Sequence, residues 1–211
     1  MAALEDPLDA SALSTTLTGR LAIVEPLTVA HQDGLAAAAG EPELFVWMPT
    51  DMASSREALR DWLQAAVTAA QAGREVPFAI RAAATGEVVG STRFLELRFE
   101  HRRAEIGWTW LRRSAWSTGI NVETKLMLLG HAFEEVGLRR VEFKTDARNE
   151  RSRGALSALG ASFEGIMRKH MVLPGGAARD SAYFSVIDDE WPQLRSRLRR
   201  RVEQHLARTG T

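Results

Sequence analysis

One stretch of the chain, AEIGWTWLRRSAWSTGINVETKLMLLGHAFEEV, ends at Val136 and constrains the fold more than any other. Ala104, Ile106, Trp108 and Trp110 alternate with Glu105, Gly107 and Thr109, the period-two pattern of a strand with one apolar face. Polar and small residues follow over 112–119. Apolar residues then recur at Val122, Leu126, Leu129, Phe133 and Val136, the spacing of one helix face, and Gly137 predicts the stop. A strand that feeds a helix through a loop of small residues leaves first-turn N–H groups without intrahelical partners, where the positive end of the helix dipole also lies. Such a junction suits a phosphate group, and Gly119 would let it approach the backbone. The residues alone leave a plainer reading open, in which Ser117 and Thr118 do no more than cap the helix.

At 211 residues the chain suits one domain with a substantial core. Residues 1–16, small and acidic, are expected to form a mobile leader, with a single domain over 17–211. Lys plus Arg number 27 and Asp plus Glu 27, so no global field draws the protein to nucleic acid or an anionic membrane. The absence of cysteine removes disulfides, thiolate metal sites and a thiolate nucleophile, and it fits a cytoplasmic home. Glu5, Asp6 and Asp9 stand where a signal peptide would be basic and then apolar, and no run approaches a membrane span. No His/Asp/Glu grouping has metal-ligand spacing, and neither Gly-x-Ser-x-Gly nor a Gly-x-x-x-x-Gly-Lys loop occurs, so no metal, acyl-hydrolase or nucleotide-hydrolase chemistry is expected.

In chain order, the pattern predicts a strand over 17–27, a helix over 31–39, and a loop over 41–52 that carries Leu44, Phe45, Trp47 and Met48. A helix over 56–71, capped by Ser54 or Ser55, buries Leu59, Trp62, Leu63, Ala66 and Val67. Strands over 76–81 and 88–97 join through Thr85-Gly86 and lead into the Glu105 strand. Beyond the central helix come a strand over 140–145, a short helix from the N-cap Asn149 to Leu159, and two strands over 163–172 and 181–187. The chain turns helical again at Asp189, with Arg195, Arg197, Arg199, Arg200, Arg201 and Arg208 reading first as a solvated basic face.

The segment Trp116-Ser117-Thr118-Gly119-Ile120-Asn121 resembles the acetyl-CoA pyrophosphate loop of the GNAT superfamily of N-acetyltransferases, Gln/Arg-x-x-Gly-x-Gly/Ala. It is most similar to the RimJ/RimL branch, where the loop often reads Trp-Gly-x-Gly. Ser117 departs from the branch's glycine and Asn121 from its final small residue. The resemblance spans about 17–188 and implies an α/β fold, with a central mixed, twisted sheet of about seven strands and helices on both faces. It implies acetyl-CoA as co-substrate and no metal, with the cofactor held by Arg113, Trp116, Ser117, Thr118, Gly119, Ile120 and Asn121. Asn149 would meet the pantetheine arm and Ser152 the departing thiolate.

Acetyl transfer to an amine also needs a base. Glu105 lies fourteen positions before Gly119, the spacing at which several GNAT enzymes carry a glutamate base, and its apolar neighbours would raise its pKa. Its alternative is a strand glutamate paired with an arginine. The tyrosine acid of many family members is replaced by Leu156, and the single tyrosine, Tyr183, reads as a core residue. Trp47, Met48 and His170 are candidates for an acceptor pocket. The expected acceptor is a primary amine, either a peptide N-terminus or a small molecule. A non-catalytic acyl-CoA sensor is the rival from another class, and a homodimer is left open.

Overall fold

The computed structural model describes residues 8–173 and 175–209. Its strands are β1 (Leu17–Thr18), β2 (Ala22–Pro26), β3 (Val76–Ala82), β4 (Val88–Arg98), β5 (Arg103–Leu111), β6 (Arg140–Asp146), β7 (Ser162–Val172) and β8 (Ala178–Ile187). They form one sheet in the order β1-β2-β3-β4-β5-β6-β8-β7, antiparallel throughout except between β5 and β6. Eight strands stand where about seven were expected, because the stretch over 17–27 is broken. The break wraps a side chain from elsewhere: Glu123 accepts hydrogen bonds from the backbone N–H groups of Arg20 (2.9 Å), Leu21 (2.5 Å) and Ala22 (2.7 Å). A Cβ on Gly19 would lie 2.4 Å from that carboxylate, so a side chain there would have to displace it.

The helices are α1 (Gln32–Ala38), α2 (Arg56–Gln71), α3 (Ile120–Gly130), α4 (Glu150–Leu159) and α5 (Trp191–Thr209). Ser55 caps α2 by accepting from the Ala58 N–H. The central helix loosens into a π turn over His131–Glu135 before Gly137. Strand alternation divides the core. Ala104, Ile106, Val141, Phe143, Ala182 and Phe184 face α3 and α5, while Ala79 and Trp110 pack with α1 and α2 on the other side.

Order begins earlier in the chain than the sequence suggested. Residues 1–7 of the expected leader lie outside the described residues, but Ala10–Leu13 form a 3-10 turn capped by Asp9, and Leu13 is wholly buried in the core. His131 Nε2 also hydrogen-bonds the Ala12 carbonyl at 2.9 Å. At the other end, α5 is less free than its charge pattern implied. Leu194, Leu198, Val202 and Leu206 are buried, while Arg197 and Arg201 donate to the carbonyls of Leu159 and Ala158, satisfying the C-terminal end of α4. Among the described residues no helix is long and apolar enough to cross a membrane.

The feature that positions the site is short. β5 and β6 pair only at Arg103 with Arg140, Ala104 with Val141 and Glu105 with Glu142. Beyond Glu105 the two strands part, β5 staying with β4 and β6 with β8. A bulge adds to the divergence, since three steps on β5 from Gly107 to Trp110 oppose two on β4, with Trp108 at φ +50°.

Candidate active site

Glu105 is the last β5 residue paired with β6, and its side chain points away from α3 because Ala104 and Ile106 point toward it. It is only 2% exposed, and its carboxylate lies 3.2 Å from Lys144 Nζ. Burial pushes the Glu105 carboxyl above the usual carboxylate range, and Lys144 partly restrains that rise. The residue lines a cavity of about 750 Å³ together with Glu96, Glu142, Lys144, His170 and Tyr183. α1 and α2 cover the other half of this sheet face, which leaves the β5–β8 half open.

His170, a candidate for the acceptor pocket, stands in the wall of this cavity. Its partner there was not a candidate. The Tyr183 hydroxyl lies 3.1 Å from His170 Nε2, and His170 Nδ1 lies 3.1 Å from Ser181 Oγ. Tyr183, expected as a core residue, thus has a satisfied hydroxyl but lines the cavity, and the register Lys144 to Tyr183 could have revealed it had the sheet order been known. Burial pushes its pKa up to about 12, so it stays a hydrogen-bond donor at neutral pH. Burial and the nearby Lys144 and Arg179 charges lower the His170 pKa, keeping it neutral.

Trp47 and Met48 do not line the cavity. Met48 packs with the α1–α2 core, and Trp47 lies under the Arg148 guanidinium at 5.3 Å. The loop sends Leu44, Phe45 and Met52 inward instead, with Phe45 edge-on to Trp110 at 5.3 Å.

The loop before α3 is held by its own side chains. Trp116 Nε1 donates to the Leu111 carbonyl at 2.8 Å, and Thr118 Oγ1 donates to the Ala115 carbonyl at 2.8 Å. The Trp116 ring takes two cations, Arg151 at 3.9 Å and Arg113 at 5.3 Å, and Arg113 also pairs with Glu41 at 2.7 Å. Arg151 was absent from the sequence candidates, although its place two residues after the N-cap Asn149 could have suggested it. Ile120 is buried, and Asn121 Oδ1 is a buried acceptor with no hydrogen-bond partner among the described residues. Asn149 Oδ1 accepts from the Ser152 N–H at 3.0 Å, so its cap role is filled while its amide N–H groups remain for a ligand. Ser152 is half-buried in the first turn of α4, and neither it nor Asn149 lines the Glu105 cavity.

Two loop residues are left-handed, Gly119 at φ +90° and Ser117 at φ +61°. A side chain at such an angle costs about 1–2 kcal/mol. Ser117→Gly is therefore expected to stabilise the fold by about 0.5–1 kcal/mol after the extra freedom of an unfolded glycine is deducted. Urea unfolding would read this as a higher midpoint at unchanged slope.

The chain thus combines a loop-to-helix junction before α3, a seam that opens after three residue pairs and a buried carboxylate on the last of those pairs. The family model for the acetyltransferase (GNAT) domain matches residues 20–162, and the chain belongs to that family. It is a GNAT-type N-acetyltransferase. It is 27% identical over 179 residues to the uncharacterised N-acetyltransferase p20 of Bacillus licheniformis, which covers 85% of this chain and 99% of that protein. A GCN5-related N-acetyltransferase from Brucella melitensis has the same fold at TM-score 0.83 and 29% identity, covering 89% of this chain and 85% of that one. Mycobacterium smegmatis RimJ, solved in complex with CoA-disulfide, shares the fold at TM-score 0.70 and 24% identity, covering 90% and 89%. RimJ belongs to the branch that the loop sequence resembles.

Proposed function

We propose that the chain acetylates a primary amine by direct attack within a ternary complex, with the α-amine of a protein N-terminus as the favoured acceptor. One observation carries this reading: a buried carboxylate of raised proton affinity stands where β5 and β6 part, at the wall of an open cavity. The residues around the seam fit acetyl-CoA. Its pyrophosphate would meet the first-turn N–H groups of α3, of which that of Ile120 is held only weakly by Thr118 Oγ1 at 3.4 Å, and the Arg113 and Arg151 cations. The Asn149 amide would face the pantetheine arm.

When bound, acetyl-CoA supplies a thioester carbonyl to be attacked and a thiolate to leave. Glu105 takes the proton of the incoming ammonium, through a water, and Lys144 keeps the resulting carboxyl from holding it too firmly. Ser152 donates its hydroxyl to the departing sulfur, a task for which Leu156 offers nothing. With no cysteine in the chain, an acetyl-cysteine intermediate is excluded, and single displacement is the natural course. An α-amine has an unperturbed pKa of about 7.7–8.0 against about 10.4 for lysine, so much more of it is neutral near pH 7.

A small-molecule amine is the second reading, favoured by the apolar lip of Ile166, Met167 and Met171 on the cavity. Acetyl-CoA consumption measured over α-amino peptides, lysine peptides and small amines decides among them. Turnover of peptides with a free N-terminus well above that of N-blocked peptides and alkylamines is the expected result. No turnover of any amine, with CoA still bound, would leave the acyl-CoA sensor as the function.

A further inference from the structure

We propose that Lys125 is a cofactor-positioning residue whose ammonium, from beneath the seam between β5 and β6, donates a hydrogen bond to an amide carbonyl of the pantetheine arm. The inference rests on the acetyl-CoA reading above and adds a residue to it. Of the 27 basic residues, 24 are arginine and three are lysine: Lys125, Lys144 and Lys169. Arginine is always charged and presents a planar fork of donors, whereas lysine is a compact cation that can lose its proton when buried. Lys144 already has its task beside Glu105. Lys125 is the other lysine at the seam, on the opposite face of the sheet.

Its placement is unusual for a cation. Lys125 is 5% exposed, and its Nζ donates to Thr109 Oγ1 at 2.8 Å and more weakly to Thr92 Oγ1 at 3.4 Å. The same Nζ lies 5.9 Å from the centre of the Phe143 ring. Thr109 sits on β5 four residues beyond Glu105, and Phe143 sits on β6 one residue beyond Glu142. The amine therefore touches both strands past the point where their ladder ends. No described carboxylate lies within ion-pair distance of it; Glu123, on its own helix, is taken up by the turn between β1 and β2. What faces Lys125 is Thr92 from β4, Thr109 from β5 and Phe143 from β6, none of them charged.

Leaving a cation so uncompensated is costly unless something else uses it. Donor counting says what. An ammonium has three N–H groups, of which the two threonines engage two, leaving the third for the seam. A neutral amine has one N–H fewer and no charge, so it would serve a carbonyl more weakly. Burial brings the Lys125 pKa down to about 7, so the third donor comes and goes around neutral pH. A carbonyl oxygen in the seam would favour the protonated form, and binding would take up a proton.

Calorimetry with coenzyme A and with adenosine 3′,5′-bisphosphate, which shares the nucleotide but lacks the arm, tests this on wild type, Lys125→Met and Lys125→Gln. Lys125→Met is expected to weaken coenzyme A by about 10-fold below neutral pH, the size of a lost hydrogen bond from a charged group, while the bisphosphate binds as before. Wild-type affinity for coenzyme A, relative to the bisphosphate, should fall as the pH rises through about 7. Neither variant should show that fall, and Lys125→Gln, with a neutral donor, should recover part of the affinity. Equal weakening of both ligands, or no change in either, overturns the proposal. If Lys125→Met does not fold, a wild-type coenzyme A affinity that tracks the bisphosphate across this pH range overturns it alone. Wild type that binds neither ligand would instead remove the acetyl-CoA reading, and this inference with it.

Discussion

Glu105→Gln is expected to slow acetyl transfer by about 10²–10⁴-fold, the usual cost of removing a positioned base, while coenzyme A affinity stays near the wild-type value. Glutamine keeps the shape and an oxygen toward Lys144, which lies 3.2 Å from the native carboxylate, so the loss would be chemical more than structural. The pH profile carries the stronger signature. The Glu105 pKa is raised chiefly by burial, so the wild-type rate should fall as the pH drops through that raised value and the base becomes protonated. In the variant that limb should vanish, leaving the titration of the acceptor amine. Stability gives an independent check of the same shift. A carboxyl that holds its proton more tightly when folded binds more protons in the native state, so wild-type stability should decline as pH rises from the unfolded value of 4.5 through the folded one. The glutamine variant should lack this decline. A wild-type rate and an unchanged profile in Glu105→Gln would reduce Glu105 to the ion-pair partner of Lys144.

Gly119→Val is expected to cost about 2–5 kcal/mol of stability, the sum of a left-handed backbone at about 1–2 and overpacking at about 1–3. The glycine's φ is +90°, and a Cβ there would lie 2.7 Å from Leu21 Cδ1 and 2.8 Å from His205 Cβ and Cγ. Gly119 thus faces the protein: it lets the loop lie against the residue between β1 and β2 and against α5. For a chain of this length the thermal midpoint should drop by roughly 10 °C, with coenzyme A affinity in the folded variant a poor guide to phosphate contact. A midpoint within a degree or two of wild type would mean that α5 or Leu21 yields easily.

Local pattern carried most of the element order. The helix over 56–71 and its cap at Ser55 were readable because a 16-residue amphipathic stripe and a capping serine are signals within the element itself. The strand-loop-helix junction at Glu105, Gly119 and Val122 was readable for the same reason, and with it the family. The π turn in the central helix was not, since it answers to packing that no local spacing encodes. Nor was the break between β1 and β2, which is set by Glu123 reaching across about 100 residues to three backbone N–H groups.

The candidate site divides along the same line. The residue types suited to the chemistry are legible in the chain: a carboxylate among apolar neighbours at Glu105, a helix entrance at Gly119, and a capping asparagine with a serine three residues on at Asn149 and Ser152. Which side chains meet follows from the strand order. Strand order brings Lys144 and Tyr183 beside Glu105 and His170, residues up to 78 positions apart, because β6 lies between β5 and β8. It sends Trp47 and Met48 elsewhere, and it sets Arg151 on Trp116. The physical reason is range. Propensity, capping and amphipathic period act over a few residues and are written in the chain, whereas the partners of a buried charge are fixed by which strands pair, and that depends on how the whole core is packed.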